Sequence, residues 1–301
     1  MSEHTLAFIF PAFANDYTDH TGANLNGFMR HFEARMQIAQ TEFDPSLIGF
    51  NFNDLNFLDN ELLTQYVTYI YGCAAADTLR DAGFHPAFSA GMSMGIYATL
   101  YDAGVIEFKN GLLLIKSAYE AITKLTKGLS FSMGTLIGLN RHDLERIMAQ
   151  SGGQLEITNQ NSPYAFVISG DANSIRQALS DAREEGALHT RQLNVNTPYH
   201  AGFLREAVLE FEKCLSKIVF KSPRCRILSV ISAKELSDIE SLKNELSSNL
   251  FTHLNWYNTM VVLLEKGVTT LIECGPSKGM VKNSRFVPGN FRFLALDADL
   301  H

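Results

Sequence analysis

The segment Gly91-Met92-Ser93-Met94-Gly95 constrains this chain more than any other. An apolar run, Pro86-Ala87-Phe88-Ser89-Ala90, precedes it, and a helix-like stretch from Ile96 to Ala103 follows. Strand, tight turn and helix in that order are the setting in which a G-x-S-x-G sequence holds a reactive serine. The glycines have a steric role. At so sharp a turn, a Cβ two residues from the serine would strike the neighbouring strand or helix. Ser93 is therefore expected at the carboxyl edge of a sheet, above the positive end of a helix dipole. The competing reading is a strand-to-helix turn with an incidental serine, and the flanks favour a nucleophile.

A chain of 301 residues, 46% hydrophobic and 19% charged, has the make-up of a globular protein and enough length for one large domain or two smaller ones. No apolar run reaches membrane-spanning length. Leu6 to Phe10 is too short for a signal peptide and lacks a basic flank, so a cytoplasmic protein is expected, acting as a monomer. Cys73, Cys214, Cys225 and Cys274 are scattered, with no C-x-x-C and no histidine at metal spacing. Neither a metal nor a cofactor is expected. The net charge of −7 and the lack of a basic stripe interleaved with aromatics argue against nucleic acid. Docking to an acidic partner would need a local basic patch.

Thr5 to Phe10 reads as a buried strand stopped by Pro11, and helical periodicity covers Asn24 to Gln40, Leu62 to Ala82 and Phe108 to Lys124. Strands alternating with helices point to a mostly parallel α/β sheet. The pattern then changes. Gly134 to Leu139 is a strand, Arg141 to Gln150 a helix, and Leu155 to Asn159 and Ala165 to Ser169 are strands around the turn Asn161-Ser162-Pro163. A helix over Ala172 to Glu185 and a strand over His189 to Val195 complete β-α-β-β-α-β, a ferredoxin-like order of roughly 65 residues. Helices return over Leu204 to Ile218 and Asn255 to Lys266, with strands at Ile227 to Ser232 and Thr269 to Glu273.

A serine hydroxyl needs a base at neutral pH, and the nine histidines are the candidates. His4, His20 and His301 lie near the chain ends or in polar stretches, and His142 and His189 read as structural or solvated. His85 stands at a strand entrance, opposite the edge expected for Ser93. His31 and His253 are placed on helices. His200, in Asn196-Thr197-Pro198-Tyr199-His200-Ala201, lies where the chain leaves the ferredoxin-like segment, and a cleft between domains is a usual place for a site. Position alone leaves it one candidate among others.

Along nearly its full length the chain resembles the malonyl-CoA:acyl carrier protein transacylase family. Phe10-Pro11 sits where that family has F-P-G-Q-G-S-Q, Gly91 to Gly95 matches G-H-S-x-G, and Ala103-Gly104-Val105-Ile106 follows at the family's spacing. Thr158 to Pro163, Val167-Ile168-Ser169-Gly170, Pro198-Tyr199-His200, Trp256 and Glu273-Cys274-Gly275-Pro276 match later blocks in order. The resemblance implies a large α/β-hydrolase-like domain (1–126 and 197–301) with a parallel sheet and an inserted small ferredoxin-like domain (127–196). It also implies a Ser93–His200 dyad, an acyl-enzyme, and an acyl-CoA or acyl carrier protein thioester as partner in fatty-acid or polyketide biosynthesis. His200 would be oriented by the main-chain carbonyl of Asn255, and an oxyanion held by the N–H groups of Phe13 and Met94. Asn161, with Asn159-Gln160, would approach the cleft from the small domain, or serve only as a turn before Pro163.

Departures from the family bear on the acyl group. The histidine before the nucleophile is Met92, the arginine that grips the malonyl carboxylate falls at Ser117, and the G-Q-G-S-Q loop is Ala12-Phe13-Ala14-Asn15-Asp16. A carboxylate buried without its cation costs about 3–5 kcal/mol, and Lys116 points ~100° away from position 117 on a helix. Met92, Ser117 and Asn161 are thus expected to line a pocket for an uncharged acyl group. An acyl-carrier-protein hydrolase using the same dyad and a noncatalytic scaffold subunit are the rival readings.

Overall fold

The computed structural model describes residues 5–13, 17, 27–284 and 286–295. Ala14-Asn15-Asp16, His4, His20, His301 and the start of the helix expected from Asn24 lie outside the described residues. The first half runs β1 (Thr5–Phe10), α1 (Phe28–Glu42), α2 (Glu61–Asp81), β2 (Phe88–Gly91), α3 (Gly95–Asp102) and α4 (Phe108–Thr126). Next come β3 (Phe131–Ile137), α5 (Arg141–Gln150), β4 (Leu155–Ser162), β5 (Ala165–Asp171), α6 (Ala172–Glu184) and β6 (His189–Gln192). The remainder is α7 (Val208–Leu215), β7 (Arg226–Leu228), β8 (Glu235–Leu236), α8 (Ile239–Asn249), β9 (Leu254–Asn255), α9 (Trp256–Glu265), β10 (Val268–Glu273), α10 (Gly279–Ser284) and β11 (Arg292–Ala295).

Two sheets organise these elements. The first has the order β11-β10-β1-β2-β7-β8, every pairing parallel except β7 with β8. Ala7 to Phe10 of β1 are buried, because helices cover both faces of a parallel sheet and leave no polar side to the strand. The second sheet has the order β6-β3-β5-β4-β9, antiparallel except for β4 with β9. Its fifth strand comes from beyond β6, so this sheet is completed by the returning chain. The helix α2 is buried from Leu63 to Ala76, which explains why apolar residues dominate every side of it. Asn60 caps α2 by accepting from the Leu63 N–H, and a reciprocal Asp238–Ser241 capping box starts α8. No helix among the described residues is long and apolar enough to cross a membrane.

Several boundaries differ from those expected. β4 continues through Asn161 to Ser162, so the turn is Pro163-Tyr164 and Asn161 belongs to a strand. The helix expected from Leu204 begins as a 3-10 turn, Gly202–Ala207, before α7. β7 ends at Leu228, because the Ser229 hydroxyl accepts the Ile231 and Ser232 N–H groups and folds the chain into a turn.

The elbow after β2 is a tight backbone crossing at the edge of the first sheet. A Cβ on Gly95 would lie 2.2 Å from the Phe10 carbonyl oxygen, and one on Gly91 2.2 Å from the Gly95 backbone. Between them Ser93 takes a φ of 54°, a left-handed conformation that costs a non-glycine residue about 1–3 kcal/mol. Gly95→Ala is expected to lower stability by at least the ~1–3 kcal/mol of an overpacked core. A urea midpoint equal to that of the parent protein would show that β1 and α3 have room to part.

Candidate active site

Ser93 stands at the end of β2, one residue before the cap of α3, and is 7% exposed. Its Oγ lies 2.7 Å from Nε2 of His200, which is 6% exposed and reaches the elbow from the turn after Pro198. His200 is itself left-handed, with φ at 63°, so both partners are presented by strained backbone. Nδ1 of His200 donates to the Asn249 carbonyl at 2.5 Å, and the His200 backbone N–H donates to the Leu250 carbonyl at 3.1 Å. A carbonyl can only accept, so the proton sits on Nδ1 and the Nε2 lone pair faces the serine hydroxyl.

The orienting carbonyl therefore belongs to Asn249, which corrects the expectation of Asn255. Asn249 ends α8, where the last carbonyls have no intrahelical partner and are free to take a donor. Asn255 starts α9 instead. Its carbonyl accepts from the Thr259 hydroxyl at 3.1 Å, and its side chain caps the helix through the Asn258 N–H. The negative end of the α8 dipole also favours any positive charge that forms on the imidazole. In the resting site burial wins: it lowers the His200 pKa to about 4, against the opposing effect of the Asn249 bond and with help from His253.

Met92, 8% exposed, packs beside the serine, and its sulfur takes the Asn159 amide at 3.7 Å. The same amide donates to the Asn161 side chain at 3.0 Å, so β4 brings both buried asparagines to the elbow. The Asn159 Oδ1 is buried without a partner. Ser117 is half-buried on α4, next to the Cys214 thiol of α7. Lys116 lies 3.9 Å from Glu120 on the outer side of α4. The Phe13 ring packs on Tyr199 with centroids 5.9 Å apart. At the elbow the N–H groups of Met92, Gly95, Ile96 and Tyr97 have backbone acceptors, and the Met94 N–H has none among the described residues.

A polar brace behind the histidine escaped the sequence reading. Gln65 of α2 donates to the Tyr199 hydroxyl at 2.7 Å, and Thr197 donates to Glu61, the first residue of α2, at 3.2 Å. The signal was a Thr-Gln pair inside an otherwise apolar helix. His253 was expected on a helix and lies instead between α8 and β9. Among the described residues no cluster of His, Cys, Asp or Glu could hold a metal ion.

No family model matches the chain. The malonyl CoA-acyl carrier protein transacylase of Synechocystis is 30% identical over 215 residues, 71% of each chain. The protein of that name from Bacillus subtilis is 24% identical over 286 residues, 92% of this chain and 89% of the relative. Among solved structures, an acyl-carrier-protein-S-malonyltransferase from Bartonella henselae superposes with a TM-score of 0.86 at 24% identity, covering 98% of this chain and 96% of its own; at that identity the likeness speaks for the fold. With the Synechocystis relative 30% identical and matched over 71% of its length, this chain belongs to the malonyl CoA-acyl carrier protein transacylase family and is an acyltransferase.

Proposed function

We propose that the protein moves an uncharged acyl group from an acyl-CoA to an acyl carrier protein through a Ser93 acyl-enzyme. The observation that carries this is the 2.7 Å contact between Ser93 and a His200 whose Nδ1 is committed to Asn249. In the first half-reaction the Ser93 proton passes to Nε2 as Oγ attacks the thioester carbonyl carbon. The C–S bond then breaks, and the departing thiolate takes the proton from His200. In the second half-reaction an incoming thiol gives its proton to Nε2 and attacks the Ser93 ester; the bond from the acyl carbon to Oγ breaks, and Oγ takes the proton back from His200. Met94, at the amino end of α3, and Phe13 would offer backbone N–H groups to the oxyanion. The thiol acceptor is a carrier protein by analogy with the relatives, which are named for that substrate.

The acyl preference rests on Met92 and Ser117. A thioether beside the nucleophile offers no charge, and neither does a hydroxyl at 117. We read residues 127–196 as an inserted ferredoxin-like domain, supported by the order β6-β3-β5-β4 within its sheet, and 1–126 with 197–301 as the large domain. Four free cysteines accord with a protein working in the reducing cytoplasm.

Ser93→Ala should keep the fold and abolish the acyl mass shift of intact protein incubated with acyl-CoA. Persistence of that shift would remove Ser93 from the reaction.

Acylation needs neutral His200, and its pKa is lowered from 6.5 to about 4. The rate of Ser93 acylation should therefore hold steady as pH falls through 6.5 and decline only as pH nears 4. Half-maximal rate near pH 6.5 would contradict a buried, neutral base.

In competition between malonyl-CoA and acetyl-CoA, acetyl loading of Ser93 should be faster by ~10²-fold, the size of a few kcal/mol. Ser117→Arg should shift the ratio toward malonyl only in part, because Cys214 must yield its contact and Met92 still withholds a second polar group. Faster malonyl loading by the parent protein would overturn the uncharged preference.

A further inference from the structure

We infer that His253 is a positioning residue for the dyad, an assignment that rests on Ser93 and His200 being the reacting pair. Its Nδ1 lies 2.9 Å from the Ile157 carbonyl, and since a carbonyl only accepts, Nδ1 carries the proton. Ile157 adjoins an irregularity in β4: it faces Ile168, while Asn159, two residues on, faces Val167, so Thr158 is an extra residue in the ladder. On its other edge β4 pairs with β9 only from Asn159 opposite Leu254. The imidazole thus adds a side-chain rung just before a two-residue strand.

That rung fixes the middle of a short segment, one end of which holds His200. At one end the carbonyls of Asn249 and Leu250 hold the side chain and backbone of His200. At the other, the Asn255 N–H is bound by the Val230 carbonyl at 2.8 Å. The strand that accepts the rung carries Asn159, which touches Met92 beside the nucleophile. One hydrogen bond therefore sets the holder of His200 in register with the strand that packs on the Ser93 elbow. Nε2 of His253 is buried with no partner, so a proton there would have no acceptor, and burial keeps the ring neutral in the tautomer the rung needs. Displacements of about 1 Å by residues away from the reacting atoms cost as much as ~10² in rate.

The test compares His253→Ala, His253→Asn and His253→Gln in the full-length protein, with acetyl-CoA as donor. Asparagine can place an amide N–H near the Nδ1 position, whereas the longer glutamine places its amide near Nε2. His253→Ala should slow Ser93 acylation by ~10–10²-fold at saturating donor with KM unchanged. The downfield proton NMR signal of the His200–Asn249 bond should move or broaden in the same variant. His253→Asn should recover rate and signal, and His253→Gln should not. Unchanged acylation in His253→Ala overturns the inference, and so does a loss that follows the unfolded fraction while the His200 signal stays in place. His200→Ala serves as the separate control: if it acylates normally the dyad itself is wrong, whereas an inactive His200→Ala beside a fully active His253→Ala removes only the positioning role.

Discussion

The approach of α3 to β1 at Gly95 is the constraint on which the rest of the site depends. The helix can begin directly above the Phe10 carbonyl only because nothing occupies the Cβ position there, at 2.2 Å. That approach forces the chain to reverse within a few residues of β2 and drives Ser93 into its left-handed conformation. The strain is held by neighbours on both sides: the Met92 N–H bonds the Phe10 carbonyl at 3.0 Å, and the Ile96 N–H bonds the Ser93 carbonyl at 3.1 Å. A serine in a relaxed turn could rotate its hydroxyl toward many acceptors. Here the backbone directs it to one.

His200 meets the serine from an equally determined side. Burial alone would leave an imidazole free to adopt either tautomer, and the end of α8 selects one. The cost of burying the ring appears in its titration, since a shift from 6.5 to about 4 corresponds to roughly 3 kcal/mol against the charged form. The unfolded chain binds this proton first as pH falls. The contribution of a neutral His200 to stability is therefore complete above 6.5 and drains away between there and about 4. The Asn249 carbonyl opposes the desolvation in part, so the imidazolium formed during proton transfer is tolerated without being favoured at rest. That balance would suit the base of the proposed reaction, which takes and returns a proton in each half-reaction.

What the sequence made legible follows from how each feature is encoded. The elbow was readable because glycines at 91 and 95 have no substitute there, and β1 because Leu6 to Phe10 is a continuous apolar run. The order of strands and helices from Phe131 to Gln192 was readable from alternating periodicities. The holder of His200 was not, because a main-chain carbonyl carries no side-chain signature. The helix that ends in it, Ile239–Asn249, is mixed with polar residues and presents a weak pattern. β9 has two residues and exists only through its partner β4, so no local reading finds it. His253 was misplaced for the same reason: it becomes meaningful only when β4 arrives from nearly a hundred residues earlier.

The polar character of the small sheet's contribution also bears on the acyl group. Asn159 and Asn161 are buried, and with one amide shared between Met92 and Asn161 the Asn159 Oδ1 is left without a donor. An acceptor in that state is satisfied by a ligand that brings an N–H or O–H and is repelled by one that brings a carboxylate. Beside it, a soft thioether presents polarizable surface. The surface that β4 brings to the elbow thus combines an unpaired acceptor with a soft apolar group.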